Sequence, residues 1–209
     1  MKLSLAGCSF NRNPMTHDAV AGISEVVTIT ESMRMKSMPT DISGEESWRN
    51  KSYALIDFGS ACLLDSGRKL FSRAYPIAYR APEVAVEAGW DTAADIWAAG
   101  CMLFSMLTHF NLYPPATDDK TLPVLQMQLF GNLPPDLIAC SKKRDVFWEE
   151  NGDIYAPFRI TYPSFDELLQ QAAPLMTPQC SDFLRRMLTV DPGKRATVQD
   201  LLGHPWLAA

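Results

Sequence analysis

The sequence lacks a C-x-x-C pair: its five cysteines, Cys8, Cys62, Cys101, Cys140 and Cys180, are scattered and odd in number. That spacing excludes a zinc ribbon and a disulfide framework, and fits free thiols in a reducing compartment. Long hydrophobic runs are missing too. The longest, Ile96 to Leu107, reaches only about 12 residues, too short to span a bilayer. "LAGC" at Leu5 to Cys8 looks like a lipoprotein cleavage box, but the apolar stretch before it is far too short for a signal peptide. There is no basic excess, the net charge being −5. A general nucleic-acid binder is therefore not expected, and a basic protein partner is compatible. Strand–helix alternation is absent, which excludes a parallel doubly wound sheet. No internal repeat is visible.

What is present is a soluble globular composition over 209 residues, 47% hydrophobic and 21% charged, enough for one domain with a core. Residues 1–52 read as a divergent, flexible segment: polar, with Met15, Met33, Met35 and Met38. Within it, "EVVTIT" alternates at Val27 and Ile29 as a strand does, and "PTDISGEES" is loop-like.

From Lys51 the pattern tightens. "YALIDFGSA", Tyr53 to Ala61, reads as a short apolar strand running into a tight turn, with Asp57 placed where an acid can hold a metal ion. "GWDTAADIWAAGCMLFSMLTHF" predicts a helix capped by Asp91 or Thr92. It is apolar nearly all round, so it is expected to be the post of the domain, buried on every side. A Pro-rich connection follows from Asn111 to about Arg159, with one short helix at "LPVLQMQLF". "TPQCSDFLRRMLTV" predicts a helix with Thr177 as cap, Pro178 in the first turn and an apolar stripe through Cys180, Phe183, Leu184, Met187 and Leu188. "TVQDLLGHPW" opens on a capping box, Thr197 to Asp200, and stops at Gly203. Trp97, Phe104 and Trp206 are expected in the core, His204 as a helix-end packing residue, and His17 and His109 at the surface.

The order of certain motifs is more specific than any one of them. Asp57-Phe58-Gly59 is followed by Ala81-Pro82-Glu83, by Asp95, Trp97 and Gly100 in "DIWAAG", and by Arg195 after Asp191-Pro192. Together they resemble the C-terminal lobe of a eukaryotic protein kinase, over about residues 52–207. "AYRAPE", with Arg80 two residues before Pro82, is similar to the branch holding MAP kinases, cyclin-dependent kinases and SR-protein kinases. The insert "LFGNLPPDLIACSKKRDVFWEENGDIY" and the closing "MLTVDPGKRATVQDLLGHPWL" look most like SR-protein kinases. "IDFGSA" also suits the neighbouring dual-specificity-type kinases.

The resemblance implies a mainly α fold, a kinase-type C-terminal lobe over 53–209 with a short β-hairpin near the Asp-Phe-Gly turn. It implies ATP and Mg²⁺ as cofactors, provided the remaining lobe is supplied, with Ile56, Asp57, Phe58 and Gly59 as the cofactor-binding residues. Asp57 would be the metal ligand, Phe58 would pack inward, and Gly59 would turn the chain. Ser60 to Ala81 would be the activation segment, and Arg80 and Ala81 would shape the peptide-binding floor. Glu149, Glu150 and Asp153 would dock a basic, Arg-Ser-rich protein substrate; a solvated acidic turn is the other reading. Glu83 and Arg195 would form a buried ion pair, and Asp95 would accept backbone hydrogen bonds from the catalytic loop. A cytoplasmic or nuclear location goes with this; oligomeric state is open.

The family's other parts are not found. The 209 residues hold no G-x-G-x-x-G, no V-A-I-K-like stretch and no H-x-D-x-x-x-x-N. The general-base aspartate is thus unassigned, and the N-terminal lobe and catalytic loop are expected to be absent or replaced. Six residues before Pro82, where this branch carries Thr then Arg, stand Pro76 and Ile77. Proline has neither a hydroxyl nor an N–H to offer. Two readings follow: a protein serine/threonine kinase represented by a partial domain that is inactive alone, or a pseudokinase-type binding module without turnover.

Overall fold

The computed structural model describes residues 56–62, 68–72, 74–155, 162–172 and 176–207. The chain divides into two units, 1–59 and 60–209, taken separately here. Of the first only 56–59 are described. The reading of residues 1–52 as flexible, the strand at Val27 and Ile29, and the residues Tyr53 to Leu55 of the expected hairpin lie outside the described residues.

Eight helices and no strands make up the described residues: α1 (Pro82–Ala85), α2 (Ala93–Thr108), α3 (Thr121–Phe130), α4 (Pro135–Cys140), α5 (Arg144–Phe147), α6 (Phe165–Gln171), α7 (Pro178–Met187) and α8 (Val198–Leu202). Extended pairing is limited to two isolated antiparallel bridges, Leu70 with Trp90 and Trp148 with Ile154.

Helix starts follow from side-chain oxygens meeting free N–H groups. At α2 it is Asp91, not Thr92, that caps: its Oδ1 accepts from the Ala93 N–H at 2.9 Å. Asp118 Oδ1 accepts from the Thr121 N–H at 2.8 Å ahead of α3. Thr177 accepts from the Cys180 N–H at 3.2 Å ahead of α7. Reciprocal capping boxes open α6, from Ser164 and Glu167, and α8, from Thr197 and Asp200. α2 ends where His109 turns left-handed, at φ 60°. α3 ends at Gly131, φ 92°, a conformation that suits glycine.

The main core gathers on α2. Trp97, Cys101 and Phe104 pack with Leu122 and Leu125 of α3 and Leu184 of α7. Trp97 meets Phe130 edge-on at 5.1 Å, and Phe130 meets Phe165 of α6 at 4.9 Å. Each large side chain buried this way is worth about 1.5–3 kcal/mol, more than a typical cap at about 1 kcal/mol, so packing dominates capping here. A second cluster joins Val86, Val124, Ile138, Phe147 and Trp148, seating the insert's short helices against α1 and α3. α7 lies close on α2 because Gly100 has no side chain: a Cβ there would stand 3.0 Å from Met187 Cβ and from Leu188 Cδ2.

α2 is not buried on every side. Met102 and Met106 are 51% and 61% exposed, on the side opposite Trp97 and Phe104. Apolar composition gave the helix its post-like role but could not say which of its faces would have neighbours. The Pro-rich connection is also less irregular than expected, since α4 and α5 lie within it.

Candidate functional site

The best-defined cluster surrounds Glu83 and Arg195, 112 positions apart in sequence. Glu83 sits in the first turn of α1, where an acid suits the helix N-terminus. Arg195 follows α7 on the turn opened by Asp191. Arg195 Nη1 donates to Glu83 Oε1 at 2.7 Å and Nη2 to Oε2 at 2.9 Å. Its remaining donors go to carbonyls, Nε to Thr189 at 2.8 Å and Nη1 also to Ala93 at 2.8 Å. The guanidinium lies over the Trp97 ring, 5.0 Å from its centroid. With side chains 0% and 1% exposed, the pair is dry. Every guanidinium nitrogen and both carboxylate oxygens are hydrogen-bonded, which is the condition for burying them.

Arg80 and Ala81, just before α1, are buried at 7% and 0% exposure. Arg80 draws its own loop inward: Nε donates to the Ala74 carbonyl at 3.1 Å and Nη2 to the Tyr75 carbonyl at 2.9 Å. Nη1 pairs with Asp119 Oδ1 at 2.5 Å, while Gln126 Nε2 of α3 donates to the Arg80 carbonyl at 2.8 Å. Trp90 Nε1 donates to the Ser72 carbonyl at 2.9 Å. An open cavity of about 510 Å³ lies here, lined by Ser60, Ser72, Ala74, Tyr75, Arg80 and Trp90. Residues 70–72 and 74–80 are thus tied to the segment before α2 through Trp90 and to α3 through Gln126.

Asp95 is exposed on the first turn of α2, and its Oδ1 accepts from the Tyr75 hydroxyl at 2.5 Å. Burial, and then this bond to a carboxylate, push the Tyr75 phenol well above its ordinary range. Tyr75, Trp90 and Asp119 were not singled out from sequence. Neither Tyr75 nor Asp119 belongs to a periodic pattern or to one of the motifs.

Glu149, Glu150 and Asp153 share one turn. The Glu149 N–H donates to the Asp153 carbonyl at 2.7 Å, and Asn151 Nδ2 donates to Asp153 Oδ2 at 3.0 Å. Glu150 and Asp153 are exposed and Glu149 half-buried, so all three carboxylates sit on a hydrated hairpin end.

In the first unit, Ile56 is 74% exposed, and Asp57 and Gly59 are exposed too. Asp57 turns left-handed at φ 63°, and Gly59 would place a Cβ 3.6 Å from Asp57 Oδ1, ordinary contact. Phe58 does not pack inward: it is 50% exposed. The three-residue 3-10 turn Phe58–Ser60 buries none of its residues and is too short to seat a ring on a packed layer. Asp57 can offer one oxygen to a Mg²⁺ ion, which takes six ligands. Among the described residues no group of three or more His, Cys, Asp or Glu could hold a metal ion. Nor do they offer a thiol nucleophile in the core: burial pushes Cys101 up to about 12. No helix among the described residues is long and apolar enough to cross a membrane.

A helical core is thus braced by a buried acid–guanidinium pair that joins positions 112 apart in sequence. The chain belongs to the protein kinase domain family, whose match covers residues 46–207. It is 32% identical over 165 residues to the probable serine/threonine-protein kinase sky1 of Dictyostelium discoideum, an alignment covering 73% of this chain and 24% of that protein. It is 29% identical over 180 residues to the serine/threonine-protein kinase SKY1 of Saccharomyces cerevisiae (82% and 24%). With the human dual specificity protein kinase CLK1 it shares 30% identity over 171 residues (78% and 34%). The chain spans a quarter to a third of the length of these relatives.

Proposed function

We propose that this chain acts as the substrate-bearing C-terminal lobe of a protein serine/threonine kinase domain and transfers no phosphoryl group by itself. The observation that carries this is the dry Glu83–Arg195 pair, which fastens α1, the helix that follows Ala81, to the turn after α7 and to the Ala93 carbonyl at the start of α2. In phosphoryl transfer the protein supplies positioning and electrostatic stabilisation. These residues supply positioning of the acceptor protein. The motifs that would supply a loop over the phosphates, its partner lysine, a second metal ligand and a general base are not found in the sequence, and on this reading those groups come from elsewhere. General-base help alone is worth about 10²–10⁴-fold.

The acceptor is proposed to be an Arg-Ser-rich protein. The relatives named above include serine/threonine kinases, and the carboxylates of Glu149, Glu150 and Asp153 lie on a hydrated turn that a guanidinium can approach. Asp57 is the proposed metal ligand once the other elements are present. A second reading, a binding module without turnover, is favoured by Pro76 and Ile77, which give the floor no hydroxyl and no cation at those two places.

The test incubates purified chain with labelled ATP, Mg²⁺ and an Arg-Ser-rich peptide, beside the Asp57→Ala variant. Background labelling in both supports the proposal. Labelling well above background that vanishes in the variant refutes it. Peptide binding that weakens when Glu149, Glu150 and Asp153 are neutralised to amides supports the substrate class; unchanged binding removes it.

A further inference from the structure

Tyr75 combines three features that none of the motifs accounts for. Its backbone is left-handed, φ 65°, a conformation that is costly for a bulky aromatic residue and that surrounding contacts must hold in place. Its hydroxyl reaches Asp95 Oδ1 at 2.5 Å, across 20 positions of sequence. Its ring stands edge-to-face on Trp90, 5.8 Å between centroids. Both neighbours are themselves fixed. Trp90 exchanges two backbone hydrogen bonds with Leu70, at 2.8 and 2.9 Å, and Asp95 sits on the first turn of the longest helix. The Tyr75 carbonyl is held by Arg80 Nη2 at 2.9 Å.

We propose that Tyr75 is a latch: its hydroxyl holds Asp95 Oδ1, closing residues 70–72 and 74–80 onto the N-terminus of α2. The contact is self-inhibitory in form. A partner segment whose backbone N–H takes the place of the Tyr75 hydroxyl at Asp95 Oδ1 releases the latch, and displacement lets the strained backbone at Tyr75 relax and the floor open. Only the identity of that competing segment, the catalytic loop of a kinase domain, rests on the functional reading above. The latch itself rests on the geometry.

Hydrogen exchange of the full chain, followed by mass spectrometry, tests it. The reporter amides are Leu70, Tyr79 and Arg80, which donate to Trp90, Pro76 and Ile77 at 2.8, 3.0 and 3.3 Å; α7 is the control. Tyr75→Phe keeps the ring and removes the hydroxyl, and the reporters should exchange at least about tenfold faster with α7 unchanged. Asp95→Asn retains a carbonyl acceptor and should stay near the parent chain. Asp95→Leu should match Tyr75→Phe, and the double variant should be no faster than either single, the signature of one shared interaction. Reporter rates within about twofold of the parent in Tyr75→Phe overturn the latch. So do effects that multiply in the double variant. Loss of protection in α7 together with the reporters also overturns it, because a latch opens locally. None of these outcomes depends on phosphoryl transfer, so the latch and the kinase reading can fail separately.

Discussion

Glu83 and Asp57 are two carboxylates assigned by the same run of motifs, and their surroundings are opposite. Glu83 is 1% exposed, takes two hydrogen bonds from one guanidinium, and joins α1 to the turn after α7. Asp57 is exposed, just ahead of the three-residue turn Phe58–Ser60, which buries nothing. The first is satisfied within the chain and works as a brace. The second is the proposed metal ligand, a role that would need groups from elsewhere to complete its coordination. Frameworks close on themselves because buried charge must be paired where it lies, whereas a metal-binding carboxylate must keep a free lone pair.

The largest effect should come from breaking the brace. Arg195→Met leaves Glu83 buried and unpaired, and should lower unfolding free energy by about 3–5 kcal/mol in urea denaturation. Asp57→Ala should leave the same transition unmoved. Equal effects from the two variants would erase the contrast.

Gly100→Ala gives the next effect. Elsewhere in a helix this change gains up to about 1 kcal/mol. Here the new Cβ meets Met187 Cβ at 3.0 Å, an atom close to backbone that cannot swing away. Overpacking costs about 1–3 kcal/mol, so net destabilisation is expected, read as a lower melting temperature. A more stable variant would show that α7 can move off α2.

Capping comes third. Thr177→Ala removes the acceptor for the Cys180 N–H and should cost about 1 kcal/mol. Smallest is the surface pair of Arg185 and Asp166, 47% and 62% exposed, where Asp166→Asn should change stability by under about 1 kcal/mol.

Acid sharpens the contrast differently. Backbone and hydroxyl donors hold Glu167 below its usual range, and His204 and then Arg186 do the same for Asp182. A carboxylate with a depressed folded-state pKa adds stability above its unfolded value, about 4, and loses it as pH falls further. The melting temperature should therefore stay level from pH 7 to about 5 and decline below about 4.

Much of this framework was legible because local chemistry specified it. Asp91, Thr177 and Thr197 mark helix starts, and the stripe from Cys180 to Leu188 lies on one face. α6 escaped although Ser164 and Glu167 spell a capping box, because its seven residues make only about two turns of periodicity. α4 and α5, six and four residues long, carry too little periodicity to be seen. The Glu83–Arg195 contact came from resemblance alone, since no periodicity links positions so far apart. The Tyr75–Asp95 bond was invisible, because a left-handed tyrosine has no sequence signal. Exposure of Met102 and Met106 was missed because an apolar residue does not announce whether anything covers it.

The central claim is that the brace is complete in this chain while the nucleotide site is not. Thermal unfolding with rising Mg²⁺-ATP, for the parent chain and Asp57→Ala side by side, tests it most directly, because a ligand bound only by the folded state raises the melting temperature in proportion to its occupancy. Melting temperatures that stay flat through millimolar nucleotide, and identical in the two chains, are the expected result. A saturable rise in the parent chain that Asp57→Ala abolishes would contradict the claim.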